Sequence, residues 1–169
     1  NWREVKTWGN YAYVSTEADK SGITIVNLSQ LPDSVTFKTW FGPGTDTLIR
    51  RSHALACADG YLYIFGGTQS GAVICDLTDP WNPAVKSIYK LNYIHDGYIR
   101  NDTLWASEIY AGQFTVIDVS DKTNPQVLAT QPTPGRFNHN SWLSDDSKIL
   151  FTADEKTNTP LGAFDVSDL

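Results

Sequence analysis

One short pattern occurs four times along the chain, and this repetition limits the possible folds more than any other feature. Each copy is an apolar run followed by Asn or Asp, an apolar residue, and Ser or Thr. The copies are GITIVNLSQLP (22–32), GAVICDLTDPWNP (71–83), GQFTVIDVSDKTNP (112–125) and LGAFDVSDL (161–169). The aligned residues Asn27, Asp76, Asp118 and Asp165 are 49, 42 and 47 residues apart. Self-similarity at a period of roughly 20 to 50 residues is typical of repeat architectures.

Each repeat also contains other strand-like segments. An alternating aromatic or apolar segment precedes the apolar run, as in YAYVSTE (11–17), YLYIFGG (61–67), TLWASE (103–108) and KILFTADE (148–155). Another strand precedes that one, and a last strand follows the apolar run at VTFKTWF (35–41), AVKSIYK (84–90) and PQVLATQ (125–131). Turn signals such as Asp59-Gly60 separate the segments, and no long helical periodicity is present. Each repeat therefore predicts four short antiparallel strands.

Four strands in a repeat of this length predict an all-β fold, a β-propeller of four-stranded antiparallel blades. We expect a single propeller segment over 1–169, with blades at about 2–42, 51–92, 93–132 and 138–169. The last blade lacks its fourth strand, so about 3.75 blades are present. Because a closed ring removes exposed sheet edges, we expect the chain to be part of a propeller of about six or seven blades. A compact four-bladed ring is the less favoured alternative.

Charge and composition exclude several classes of function. The formal net charge of −6 argues against a nucleic-acid partner. No apolar run approaches the ~20 residues that a membrane-spanning helix needs. Two cysteines, Cys57 and Cys75, are too few for a disulfide scaffold, and buried free thiols are favoured over a Cys57–Cys75 pair.

The repeats resemble a known family. VICDLTDPWNP (73–83) and VIDVSDKTNP (116–125) resemble the LVIVD repeat. The order of motifs is also similar to that of the choice-of-anchor B family of bacterial propellers. The motifs concerned are Trp2-Arg3-Glu4-Val5-Lys6, Ser52-His53, His95-Asp96, His139-Asn140-Ser141-Trp142-Leu143 and Asp154-Glu155. This resemblance implies a secreted or surface-anchored protein, with the signal and the anchor outside this chain. It implies little about biochemistry, because a fold does not determine a function.

The three histidines, His53, His95 and His139, are 42 and 44 residues apart, which is a blade period. Each lies near the start of the first strand of its repeat, so a propeller should turn all three towards one region of one face. The second strand of each repeat ends on that face and brings carboxylates to it. The candidate ligands for a metal ion are therefore His53, His95, His139, Asp96, Glu108, Asp154 and Glu155.

Imidazole and carboxylate ligands together suit Zn, Mn or Fe, and a set richer in oxygen would suit Ca. The alternative is structural, in which each histidine forms a hydrogen bond with the backbone of a neighbouring blade. Arg3, Arg51 and Arg136 lie near the same positions and are candidates for holding an anionic ligand. Ion pairs with the many acidic groups are their alternative role.

Two other features favour structure over chemistry. The repeated Asp76, Asp118 and Asp165 are predicted to form the same turn hydrogen bonds in each blade, because a catalytic group needs one asymmetric constellation. Tyr98 and Trp142 each follow a histidine by three residues, and they are predicted to pack between blades. The sequence predicts no catalytic residue, since it contains neither a nucleophile motif nor a phosphate-binding motif.

The sequence favours a cell-surface binding or protein-interaction module, with a protein or a carbohydrate as its partner besides the remainder of its own propeller. One alternative is a metal-dependent enzyme of hydrolase or lyase type that uses His53, His95 and His139. The other is a scaffold subunit of a bacterial surface or secretion complex.

Overall fold

The computed structural model describes residues 3–44 and 48–168. These residues form fifteen β-strands and one 3-10 turn, and they contain no α-helix. The strands make four antiparallel sheets in which consecutive strands pair, and this confirms the all-β fold built from propeller blades. Within the described ranges there is no helix long and apolar enough to cross a membrane.

The chain divides into two compact units, residues 1–90 and 91–169. In the first unit, one sheet contains β1 (Val5–Trp8), β2 (Tyr11–Val14), β3 (Ile23–Asn27) and β4 (Thr36–Trp40). The other sheet contains β5 (Ala54–Ala58), β6 (Tyr61–Phe65), β7 (Ala72–Asp76) and β8 (Ala84–Tyr89), with the 3-10 turn at Gly67–Gln69.

The second unit has the same organisation with one strand fewer. Its four-stranded sheet contains β9 (Asp96–Arg100), β10 (Thr103–Glu108), β11 (Gln113–Asp118) and β12 (Gln126–Pro132). Its three-stranded sheet contains β13 (Asn138–Leu143), β14 (Ile149–Asp154) and β15 (Gly162–Asp165).

Turn chemistry sets the register of the first hairpin in two of the sheets. Asp59 and Gly60 both have positive φ, 50° and 82°, and connect Ala58 to Tyr61. Asn101 and Asp102, with φ of 52° and 55°, connect β9 to β10 in the same way. Two central residues in the left-handed region define the type I′ turn, whose twist matches that of the paired strands.

The third strand of every sheet ends in one hydrogen-bonded turn. The side-chain oxygen of the last residue of the strand accepts a hydrogen bond from the backbone N–H of the residue two positions later. The four bonds are Ser29 to Asn27 (2.9 Å), Thr78 to Asp76 (2.7 Å), Ser120 to Asp118 (2.8 Å) and Ser167 to Asp165 (3.0 Å). Hydrogen bonds from the side chain and backbone of the Ser or Thr two residues later hold the pKa of each of the three aspartates below its usual value. The predicted structural role of the repeated aspartates is confirmed.

The apolar core of the first unit joins its two sheets. Tyr13 and Ile25 of one sheet are buried with Leu62 and Val73 of the other. Tyr13 also donates its hydroxyl hydrogen bond to the carbonyl oxygen of Pro80 at 2.8 Å. Burial raises the pKa of the Tyr13 phenol, which therefore stays a neutral donor.

Aromatic side chains form much of the core of the second unit. Trp105 and Phe114 are buried there with Leu143 and Leu150, and the rings of Phe114 and Phe164 meet edge to face at 5.0 Å. Tyr98 packs against this core, as the sequence predicts. Trp142 also packs against the neighbouring sheet, since its ring lies 4.3 Å from that of Tyr98, but at 63% exposed it is not part of the core. Trp142 faces away from the core because residues alternate sides along β13, where its neighbours Ser141 and Leu143 are buried.

The two cysteines are free, as predicted. Cys57 on β5 and Cys75 on β7 both pair with Leu62 of the strand between them. Two strand spacings are about 10 Å, beyond the ~7 Å that a disulfide can span between Cα atoms. Burial raises the pKa of the Cys57 thiol to about 12 and raises that of Cys75 as well. Neither thiol is therefore a reactive nucleophile at neutral pH.

The turn at Asp76 can be tested by substitution. Asp76→Ala removes the acceptor for the Thr78 amide and the partner of Lys86 Nζ at 3.1 Å. We expect the free energy of unfolding, measured with urea at pH 7, to fall by about 1 kcal/mol. Asp76→Asn should lose less, because Asn27 forms the same turn in the first sheet.

The effect should also depend on pH. Hydrogen bonds from the side chain and backbone of Thr78, and then from Lys86, lower the pKa of Asp76 from 3.8 to about 2. A carboxylate with a lowered pKa stabilises the fold above its ordinary pKa and loses that effect as pH falls through the lowered value. The difference between wild type and Asp76→Ala should therefore shrink from pH 4 towards pH 2. A difference that stays constant over that range would contradict this assignment.

Candidate metal centre

The three histidines occupy equivalent places in their sheets. The backbone N–H of His53 donates to Phe65 O at 2.9 Å, and that of His95 donates to Ser107 O at 2.8 Å. In both sheets the accepting residue pairs with the residue that follows the histidine. His139 lies in a β-bulge, where the pairing of β13 with β14 shifts between Asn138 and Asn140. Bulges turn a side chain away from its regular direction.

His53, in the first unit, has a carboxylate partner. Its Nδ1 lies 2.6 Å from Glu17 Oε1, and the pair is partly buried. The carbonyl oxygen of His53 accepts a hydrogen bond from Ser15 Oγ at 3.0 Å, which ties the two sheets of that unit together. The metal-ligand group found among the described residues does not include His53.

That group lies in the second unit and consists of His95, His139 and Glu155. One ligand atom from each residue lies within 4.8 Å of the others. The two imidazole rings have centroids 4.4 Å apart and are tilted by 48°. Both histidines are half-buried, whereas Glu155 is exposed. The site is therefore open to solvent on the carboxylate side.

A backbone carbonyl orients the first imidazole of the group. His95 Nδ1 lies 3.1 Å from the carbonyl oxygen of His139. A carbonyl oxygen can only accept, so this contact assigns a proton to Nδ1, and in the neutral imidazole the lone pair is then on Nε2. Metal-bound histidines almost always have such a partner on the second nitrogen, because it fixes the tautomer and the ring plane.

A cluster of buried polar side chains links the strands near the two histidines. Ser107 Oγ and Ser141 Oγ are 3.1 Å apart, and Asn138 Nδ2 lies 3.3 Å from Ser141 Oγ. Asn138 Nδ2 also lies 3.4 Å from the carbonyl oxygen of Gln113. These contacts connect β10 and β11 to β13, which carries His139. His95 directly precedes β9, and β9 pairs with β10. The segments that hold the two histidines are therefore linked by hydrogen bonds.

Two of the predicted acidic ligands have other partners. Glu108 is fully buried, and its Oε2 accepts hydrogen bonds from Asn92 Nδ2 at 2.8 Å and Gln113 Nε2 at 2.7 Å. Asp96 Oδ1 accepts from the N–H of Gly97 at 2.7 Å. The group formed by His95, His139 and Glu155 contains neither.

Asp154, the third such residue, organises the segment that leads into β13. Its Oδ1 accepts from Thr133 Oγ1 at 2.5 Å and from the N–H of Phe137 at 2.7 Å. Its Oδ2 accepts from the N–H of Gly135 at 2.9 Å. Three donors thus surround this carboxylate, which positions the backbone just before His139.

The arginine candidates divide between the units, with Arg3 and Arg51 in the first and Arg136 in the second. All three are exposed, and within residues 3–44 and 48–168 none of them forms an ion pair. The neighbouring Arg50, which the sequence does not single out, forms a forked ion pair with Asp19 instead. Its hydrogen bonds hold the pKa of the Asp19 carboxyl below the usual value.

Aromatic residues beside the ligand group were not anticipated from the sequence. Tyr93 and Phe137 lie two residues before His95 and His139, and the ring of Tyr110 contacts both. An aromatic residue at the same distance before each of two histidines is a signal that the sequence contains. It is weak alone, because Arg51 holds this place before His53.

Comparison with known proteins agrees with the repeats. The model of the LVIVD repeat matches residues 2–36 and 105–130, so the chain contains LVIVD repeats. A search of curated proteins found no match.

Among solved structures, a proposed 6-phosphogluconolactonase of Bacteroides uniformis is similar with a TM-score of 0.73 and 13% identity. The match covers 97% of this chain and 52% of that one. The periplasmic gluconolactonase of Pseudomonas aeruginosa gives 0.69 and 12%, over 98% of this chain and 53% of that one. Kuenenia stuttgartiensis hydrazine synthase gives 0.67 and 14%, over 94% and 43%. The chain spans about half the length of these structures, and at such identities the likeness concerns the fold alone.

The role of Asp154 can be separated from metal binding. Asp154→Asn leaves one acceptor oxygen for three donors, so it should lower the free energy of unfolding by about 1–3 kcal/mol. Zinc stoichiometry should stay that of the wild type, because Asp154 is outside the ligand group. Thermal unfolding and a zinc titration measure the two effects. Loss of zinc binding with unchanged stability would instead make Asp154 a ligand.

Proposed function

We propose that this protein of LVIVD repeats is a metal-binding module, which holds one divalent transition-metal ion at His95, His139 and Glu155. The observation that supports this function is the approach of two imidazoles and a carboxylate to within 4.8 Å in one unit. A lone histidine near a strand start is ordinarily a structural residue. Two histidines from adjacent sheets that meet a carboxylate form a ligand set.

The donor atoms favour one group of metals. Two imidazole nitrogens with one carboxylate suit Zn, Fe or Mn, whereas Ca takes six or more oxygen ligands, about four more than this carboxylate can offer. Around zinc, with bonds of about 2.1 Å, neighbouring ligand atoms lie ~3.4 Å apart. The ligand atoms, now within 4.8 Å of one another, must therefore move closer by up to about 1.4 Å on binding. The exposed Glu155 side chain has the freedom to do this.

The structural role of the histidines is compatible with this proposal. The contact between His95 Nδ1 and His139 O joins β13 to the neighbouring sheet through one ring nitrogen and one carbonyl. The Nε2 lone pair of His95 takes no part in that contact. The hydrogen bond that links His95 to β13 thus also orients the imidazole ring for a metal. The structural role and the ligand role use different nitrogens of the ring.

The cellular setting is also a proposal. The motif order similar to the choice-of-anchor B family supports a protein exported from a bacterial cell, with a protein or a carbohydrate as its partner. The similar structures are named as gluconolactonases in two cases and as a hydrazine synthase in another, so the shared fold does not favour one reaction. Binding is the function that the local geometry supports.

Zinc titration of the purified, chelator-treated chain tests the metal site. Isothermal titration calorimetry should find about one zinc ion per chain. His95→Ala and His139→Ala should each weaken binding by more than about 100-fold, since changes to outer-shell partners alone cost 10–100-fold. Glu155→Gln should weaken it less, because both imidazoles remain.

His53→Ala is the matched control, since it removes an imidazole that pairs with Glu17 and lies outside the group. Its zinc affinity should equal that of the wild type. Equal affinity in the wild type, His95→Ala and His139→Ala, or no zinc binding at all, would sink the proposed function.

A metal-dependent hydrolase is the second candidate, because three protein ligands leave open positions where zinc can activate water. The gluconolactonase names of two similar structures give the substrate to try first. For a pure binding module, the zinc-loaded chain should hydrolyse glucono-δ-lactone no faster than buffer. A zinc-dependent rate that disappears in His139→Ala would replace the binding function with the enzymatic one.

A further inference from the structure

An aromatic surface adjoins the ligand group in the second unit. The ring of Tyr110 lies 5.1 Å from that of Tyr93 and 6.3 Å from that of Phe137, the second pair meeting edge to face. We call Tyr93, Tyr110 and Phe137 the aromatic ledge. Tyr110 is 73% exposed, the highest value among the large hydrophobic side chains of the described residues. Its ring is supported at both ends by other rings and presents a face to solvent.

The backbone ties the ledge to the ligand group. The N–H of Glu155 donates to the carbonyl oxygen of Phe137 at 3.1 Å. Phe137 precedes His139 by two residues, and Tyr93 precedes His95 by two. A ligand lying on the ledge therefore sits beside His95, His139 and Glu155.

Two cations lie near Phe137, Lys156 by contact with its ring and Arg136 as its neighbour in the sequence. Lys156 Nζ lies 5.4 Å from the centroid of the Phe137 ring and donates to the carbonyl oxygen of Gly135 at 2.8 Å. Arg136 directly precedes Phe137 and is exposed. No ion pair involves either cation in the part of the chain that the structure describes. Both cations are therefore available to an anionic ligand.

This combination selects the chemistry of a ligand. The face of an aromatic ring carries partial negative charge, so it attracts the C–H groups on the flat side of a sugar ring. The cations at one end attract an anion, and Arg136 can hold a carboxylate with two parallel hydrogen bonds. A sugar with a carboxylate on its ring satisfies both requirements, whereas a neutral sugar or a simple carboxylate satisfies only one.

We infer that the aromatic ledge binds the ring of a carboxylated sugar, a uronate, whose carboxylate lies against Lys156 and Arg136. The inference rests on the proposed function in one respect, since the metal at His95, His139 and Glu155 supplies open positions for the hydroxyl groups of the sugar. The module then recognises an acidic carbohydrate.

Calorimetric titration of the zinc-loaded chain with glucuronate, glucose and acetate tests the inference. Glucuronate should bind at least about tenfold more tightly than either of the others, a difference of about 1.4 kcal/mol, because each of them lacks one of the two interactions. Tyr110→Ala and Lys156→Gln should each weaken glucuronate binding about tenfold, whereas Tyr110→Phe, which keeps the ring, should change it little.

Phe37→Ala and Lys20→Gln are the matched controls, because each removes an exposed ring or an exposed cation far along the chain from the ledge. Both should bind glucuronate as the wild type does. Unfolding curves of all variants should coincide, since the substituted side chains are on the surface. Glucuronate that binds no better than glucose, or that binds equally to Tyr110→Ala and Lys156→Gln, would overturn the inference.

Parallel zinc titrations distinguish this failure from failure of the proposed function. Tyr110→Ala and Lys156→Gln should keep wild-type zinc affinity, since neither residue is in the ligand group. Normal zinc binding without a preference for glucuronate overturns the inference about the ledge but not the proposed metal site. Absence of zinc binding, with glucuronate binding that still depends on Tyr110 and Lys156, overturns the metal site and supports the ledge.

Discussion

The end of the third strand in each sheet depends on one hydrogen bond between residues two positions apart. An oxygen of Asn27, Asp76, Asp118 or Asp165 accepts the backbone N–H that would otherwise point into solvent. The residue between donates its own N–H to the hairpin turn of the first two strands, at 2.8 Å in all four sheets. The side-chain bond thus ends the strand and starts the turn, and the backbone bond of the next residue joins that turn to the first hairpin. Because everything needed is local, the device can be repeated without adjustment to its neighbours.

The candidate site lies where that regularity is broken. β13 carries a bulge at His139, and the loop before it is arranged around the carboxylate of Asp154. His95 meets the carbonyl oxygen of the bulged residue, whereas the equivalent His53 meets the carboxylate of Glu17. The same residue type at the same place in a repeat therefore meets a carboxylate in one unit and belongs to the candidate ligand group in the other. Asymmetry of this kind is what a specific site requires.

Acidic groups near the site show why residue type alone is a poor guide to ligands. Asp96, Glu108 and Asp154 all lie at strand ends in the second unit, and each accepts hydrogen bonds from backbone or side-chain amides. Glu155 is the carboxylate that joins the imidazoles. The Asp154 carboxylate accepts three hydrogen bonds and has few lone pairs left for a metal, whereas Glu108 is fully buried. The partners of each acid, rather than its position in the repeat, decide which one can bind.

The sequence by itself determined the strand order, the aspartate turns and the free cysteines, because these depend on contacts within a few residues or on strand spacing. It also placed His95, His139 and Glu155 among a wider set of candidates. Only the tertiary structure reduced that set, left Trp142 exposed and brought Tyr110 between Tyr93 and Phe137. Those outcomes depend on a bulge and on how two sheets pack, which bring together residues that are at least 16 positions apart in the sequence. The alternation of apolar and polar residues along a strand shows which face of the sheet a side chain is on, but it does not indicate which distant residue that side chain contacts.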